Sequence, residues 1–214
     1  MCGIAGIVET REGDRPERAA LEQMCATMVR RGPDELGIHI EGGTAFGMRR
    51  LSIIDLENGQ QPLFNETGSK WVVCNGEIYN HLDLRAELEA SGHRFRTHCD
   101  TEVLLHGYRA WGTDLPQRLR GMFAFVIVDE KEHSLFGARD RLGQKPFYYC
   151  LRDGSLHFAS ELKGLLVDAS LSRHLDPEAL GQFLCPRYVP DPRTIFRDIY
   201  KLPPAHSLQI RGGK

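Results

Sequence analysis

Six cysteines, at positions 2, 25, 74, 99, 150 and 185, form no C-x-x-C pair and keep no regular spacing. That excludes a dithiol redox motif and argues against a zinc site, which needs clustered Cys and His. No apolar run approaches the about 20 residues needed to cross a bilayer. The N-terminus lacks both a basic region and a long apolar stretch, so it does not read as a secretory signal, and the expected compartment is the cytoplasm. An excess of charge of one sign is also missing. A formal net charge of −2 gives no electrostatic reason to expect nucleic acid or an anionic membrane as partner. There are no internal repeats and no low-complexity segments.

What is present is ordinary globular material: 214 residues, 41% hydrophobic, enough to bury a real core. "IAGIV" (4–8) reads as a buried strand. Residues 15–29 read as a helix, with Leu21, Met24, Cys25 and Met28 on one face, broken by the Gly-Pro of "RRGPDE". Strands are expected near 36–40, 44–48, 51–54 and 70–74, with "ENGQQPLFNETGSK" as loop. Helices are expected near 81–91 after Asn80, and near 101–111 with Asp100 or Thr101 as cap and Gly112 as stop. "GMFAFVIVDEKEHSLFGARD" (121–140) reads as a hairpin, as do 146–150 and 156–160 together. Residues 176–184 read as a helix, followed by a proline-punctuated extended tail. Strands in hairpins with grouped helices indicate an α+β class, antiparallel sheet covered by helices. The domain is expected over 1–170, with 171–214 as an extension leading away from it. The closing "GGK" is too little to be a phosphate loop.

The unusual feature is the thiol at position 2. A thiol attacks as thiolate, and its pKa is ordinarily about 8.5. Were Met1 removed, the new α-amino group, with a reference pKa of about 7.7–8.0, would lie on the same residue as the sulfur. Such a terminal nucleophile needs no histidine beside it. On its own, "MC" reads as no more than the start of the core, with Cys2 as its first residue.

Eight motifs then occur in order: "MCGIAGIV" (1–8), "RRGPD" (30–34), "RRLSIIDL" (49–56), "CNGEIYNH" (74–81), "CDTEVLLHGY" (99–108), "GMFAFVIVD" (121–129), "ARDRLGQKPFYY" (138–149) and "FASELKGL" (158–165). Together they resemble the glutaminase domain of class II glutamine amidotransferases, in the glutamine-hydrolysing asparagine synthetase branch of the N-terminal nucleophile hydrolases. The resemblance implies a four-layer αββα sandwich of two antiparallel sheets, with Cys2 attacking the side-chain amide of glutamine. It implies Asn75 and Gly76 as an oxyanion hole, Arg50 on the substrate α-carboxylate and Asp100 on its α-ammonium. It also implies that Glu77 and the backbone of Leu51, Ser52, Ile53 and Ile54 wall the pocket. Taken alone, "NG" would read as a hairpin turn and Asp100 as a helix cap. Arg30 stands where the family commonly has histidine. The histidines at 81, 98 and 106 are read as structural or surface residues.

The resemblance further implies a partner: an ATP-pyrophosphatase synthetase domain downstream, whose "SGGxDS" nucleotide loop does not occur in this sequence. ATP and Mg²⁺ are expected there only; in this chain no cofactor and no metal is expected. "GMFAF" and "FASELKGL" are expected to form part of the face meeting that domain, and a homodimer is a candidate assembly. The ammonia would serve asparagine synthesis. Two alternatives stay open: the same glutaminase serving another carboxylate acceptor, such as a sugar acid or secondary metabolite, or a catalytically silent interaction module.

Overall fold

The computed structural model describes residues 1–11 and 13–211, so the closing glycine-glycine-lysine run lies outside the described residues. In chain order the elements begin β1 (Gly3–Glu9), α1 (Arg18–Ala26), β2 (Glu35–Glu41), β3 (Thr44–Arg50), β4 (Leu63–Phe64) and β5 (Lys70–Ile78). There follow α2 (His81–Ala90), α3 (Glu102–Trp111), α4 (Leu115–Arg118), β6 (Gly121–Asp129) and β7 (Ser134–Arg139). The chain ends with β8 (Tyr148–Arg152), β9 (Ser155–Ala159), α5 (Leu162–Leu165), α6 (Pro177–Leu184), β10 (Tyr200–Lys201) and β11 (Ser207–Arg211).

The strands form two antiparallel sheets, ordered β10-β8-β9-β1-β3-β2 and β11-β7-β6-β5-β4. Period-2 alternation of side chains stacks them. In β1, Ile4 and Val8 point inward; in β6, Ala124, Val126 and Val128 meet them, around the buried rings of Phe46, Trp71 and Phe158. The intervening residues of the same strands face outward. Ala5 and Ile7 pack on Leu21, Met24 and Cys25 of α1. Phe123, Phe125 and Ile127 pack on Leu104, Leu105 and Leu115 from the helices on the other side. The four layers are helix, sheet, sheet, helix, as expected. Each large side chain sealed this way contributes roughly 1.5–3 kcal/mol.

Three expectations need correction. Residues 51–54 are not a strand but a loop, although "LSII" is as apolar and β-branched as a strand. The cause is Arg50, whose guanidinium turns the chain back on itself by donating to the carbonyls of Ile54 and Asp55. Second, the segment from residue 171 does not lead away. Leu171 and Ile199 enter the outer core beside α1, β10 adds to one sheet beside β8, and β11 adds to the other beside β7. Third, only the start of "GMFAF" reaches the surface: Gly121 and Met122 are half-buried, while Phe123, Ala124 and Phe125 are buried in the middle of a sheet. α1 begins at Arg18 rather than residue 15, because Pro16 biases its predecessor away from helix.

Candidate active site

β1 lies in the centre of its sheet, pairing Gly3 with Arg49 of β3 and Ala5 with Ala159 of β9. One residue ahead of this register sits Cys2, at the strand's open end, facing the start of the 51–59 loop. Its sulfur accepts from the Leu51 N–H at 3.4 Å. Its carbonyl accepts from Arg31 Nε at 2.8 Å, and Arg31 is itself braced by Glu161 at 3.4 Å. Cys2 opens onto a cavity of about 230 Å³.

Nine of the ten residues expected at the site line this cavity: Cys2, Arg50, Leu51, Ile53, Ile54, Asn75, Gly76, Glu77 and Asp100. Ser52 does not. Its N–H is drawn to the Asp34 carboxylate at 2.8 Å, and its hydroxyl is buried without a hydrogen-bond partner.

"NGE" is not a hairpin turn. It lies within β5, where Asn75 pairs with Ala124 and Gly76 with Phe123 of β6. The hydrogen-bond network orients the buried Asn75 amide: its nitrogen faces the Cys2 carbonyl at 2.9 Å and its oxygen faces Arg31 Nη2 at 3.3 Å. One amide hydrogen is then engaged and the second stays free beside the cavity. Gly76 is glycine because β6 runs too close for anything else. A Cβ there would overlap the Met122 carbonyl oxygen.

The two charged residues expected to hold a substrate also hold the protein. Arg50 is 4% exposed. Nη1 donates to Glu35 at 3.0 Å, and Nη2 donates to the carbonyls of Ile54 and Asp55 at 3.0 and 2.7 Å. Nε–H and one Nη1 hydrogen remain for a ligand. Gly59 lets the loop close around this side chain, since a Cβ at 59 would strike Nη2. Asp100 is neither the cap residue nor solvent-facing: Oδ2 accepts from the Ile78 N–H at 2.8 Å, pinning the end of β5. The helix it precedes has no side-chain cap.

Sequence reasoning missed several groups here. Arg31 lies inside a quoted motif, yet nothing local marks it as the partner of Cys2. Gln61 accepts from the Cys74 N–H at 2.6 Å and donates to Thr101 at 3.3 Å, joining three segments of the cavity wall. Lys145 and Cys99 line the cavity as well. Burial, the largest influence, pushes the Cys2 thiol above its ordinary pKa, against the opposing pull of the Leu51 N–H, the terminal amine, Arg50 and Lys145. Among the described residues no group of three or more His, Cys, Asp or Glu is placed to hold a metal ion, and no helix is long and apolar enough to cross a membrane.

These features have counterparts. Glutamine-hydrolyzing asparagine synthetase 1 of Bacillus subtilis (strain 168) is 44% identical, over 99% of this chain and 34% of its own length. Synthetase 3 of the same organism is 41% identical, over 97% and 34%. The chain thus spans about a third of the length of the curated relatives it matches. Among solved structures, glutamine phosphoribosylpyrophosphate amidotransferase from B. subtilis aligns with a TM-score of 0.63 at 22% identity, covering 78% of this chain and 43% of its own. That likeness carries the fold alone, the αββα sandwich. A family model described as a glutamine amidotransferase domain matches residues 1–214. With a cysteine at the head of the central strand and the whole chain accounted for, the protein belongs to the glutamine amidotransferase domain family.

Proposed function

We propose that this chain hydrolyses glutamine to glutamate and ammonia through Cys2, after removal of Met1, and that the ammonia serves ATP-dependent asparagine synthesis in a longer protein. The observation that carries the reading is the convergence on one cavity of Cys2, the Asn75 amide, Gly76, Arg50 and Asp100.

The chemistry follows from these groups. With Met1 gone, the freed amine of Cys2 takes the thiol proton and the thiolate attacks the side-chain amide carbon. The oxyanion that forms accepts hydrogen bonds from the free Asn75 amide hydrogen and the Gly76 N–H. Donors fixed in place beforehand need no rearrangement as charge develops. The amine returns its proton to the leaving nitrogen, ammonia departs, and a γ-glutamyl thioester remains. Water, deprotonated by the same amine, cleaves it to glutamate and the free thiol. The spare hydrogens of Arg50 take the α-carboxylate, Asp100 the α-ammonium, and Glu77 with the backbone at Leu51, Ile53 and Ile54 completes the pocket.

ATP and Mg²⁺ belong to the synthetase part, and no residue of this chain is assigned to them. The names of the relatives favour asparagine synthesis over another carboxylate acceptor. A cytoplasmic location goes with this reading, because a catalytic thiol and five further free cysteines suit a reducing compartment. The test is ammonia release from glutamine by the Met1-free protein, confirmed by intact mass, against Cys2→Ala. Turnover in the first and none in the second supports the reading; equal activity in both, or full turnover with Met1 retained, overturns it.

A further inference from the structure

Lys145 is only 5% exposed, yet it lines the cavity in front of Cys2. Its backbone is clamped on both sides: the N–H donates to buried Asp140 at 3.0 Å, and the carbonyl accepts from Arg139 Nε at 2.8 Å. Asp140 also accepts from the N–H groups of Phe123, Leu142 and Gln144, so the 140–145 loop is fixed to β6. The side chain is therefore delivered into the cavity by a rigid frame. Among the described residues its ammonium has neither a carboxylate partner nor a hydrogen-bond acceptor.

A buried, unpaired ammonium costs several kcal/mol unless an anion compensates it. The charges around Cys2 show where that anion forms. Arg50 is neutralised by Glu35 at 3.0 Å, and Arg31, behind the Cys2 carbonyl, is paired with Glu161. Glu77 and Asp100 also line the cavity, but among the described residues neither forms an ion pair with Lys145, and Asp100 is engaged by the Ile78 N–H. The thiols of Cys74 and Cys99, which share the wall, stay protonated: burial pushes Cys74 far up and Cys99 to about 11. That leaves the Cys2 centre as the group in this wall where a new negative charge can develop opposite Lys145.

We propose that Lys145 is a positioning residue whose charge stabilises the anionic forms of the Cys2 centre, the thiolate and the oxyanion, and so sets the pH range in which the cleft is active. The thiolate half of this holds whatever the substrate; the oxyanion half rests on the glutaminase reading. Of the groups that act on the Cys2 thiol, Lys145 is one of those that pull its pKa down, with Leu51, the terminal amine and Arg50.

The experiment is the pH profile of Cys2 alkylation by iodoacetamide, read by mass spectrometry on the N-terminal peptide of the Met1-free chain. Lys145→Met is expected to move the midpoint upward by about half to one unit, which is roughly three- to tenfold slower alkylation below the midpoint. Lys145→Arg is expected to keep the wild-type midpoint, since it restores charge and length. A wild-type profile in Lys145→Met overturns the proposal, and so does an equal shift in Lys145→Arg, which would assign the effect to packing. Should Lys145→Met fail to fold, Lys145→Gln replaces it under the same criteria. No glutamine is present in this assay, so its failure is distinct from failure of the glutaminase reading, which Cys2→Ala decides.

Discussion

Arg31 holds Cys2 from behind: Nε donates to the Cys2 carbonyl at 2.8 Å while Nη1 reaches Glu161 at 3.4 Å. The residue just ahead of β1 is thereby fixed on the side away from the cavity, with its sulfur toward the cavity and the Leu51 N–H. Arg31→Met removes a charge-assisted hydrogen bond that contributes roughly 1.5–3 kcal/mol. Glutaminase kcat is expected to fall about tenfold or more, at one decade per about 1.4 kcal/mol, with KM little changed. Steady-state kinetics on the Met1-free variant check this; a rise in KM at constant kcat would show that Arg31 serves binding instead.

Asn75→Ala deletes one oxyanion donor and the contact to the Cys2 carbonyl together. A loss of roughly 10²–10³ in kcat is expected, from the usual effect of one such donor. Asn75→Asp retains shape but replaces the donor by an acceptor, so it is expected to be no better than alanine.

Arg50→Lys keeps charge but cannot bridge Glu35 and two carbonyls at once. Both parameters are expected to suffer: KM through the pocket wall, and stability by about 1–3 kcal/mol from carbonyls left without a donor. Urea denaturation alongside kinetics separates the two.

Glu102 predicts acid sensitivity. Burial, the largest influence on it, raises its pKa, but hydrogen bonds from His106, from Thr97 and from the Arg96 N–H outweigh burial and hold it down to about 2. A carboxylate whose folded pKa is depressed below an unfolded value of about 4.3 contributes stability above the latter, and this is lost as pH falls toward the former. The contribution is roughly 2–3 kcal/mol, lost between about pH 4.3 and 2. Glu102→Gln should be less stable at pH 7 and show a flatter stability profile across that window in thermal melts.

The alternating strands and the paired hairpins could be read from the chain because their signal is local: β1 and β6 each carry an inward and an outward set in strict order. Cys2, Asn75, Arg50 and Asp100 were picked out through their motifs, and all line one cavity. Residues 51–54 misled because composition favours a strand, while a single guanidinium pulling on Ile54 and Asp55 bends them into a loop. "GMFAF" was expected to contribute to a face toward a downstream domain, but Phe123 and Phe125 face the α2–α4 layer and Ala124 faces the opposite sheet. Arg31, Gln61 and Lys145 could not be placed from sequence. Their partners lie at a distance along the chain, or, for Lys145, arise only as charge on the Cys2 centre.

Met1 stands at the mouth of the cavity, lining it while remaining more than half exposed, at the end of a strand paired on both sides. Any affinity tag or fusion partner joined ahead of residue 1 would start at the rim of the cavity onto which Cys2 opens. Handles for purification therefore belong at the opposite end of the polypeptide, or behind a protease site cut flush with the cysteine.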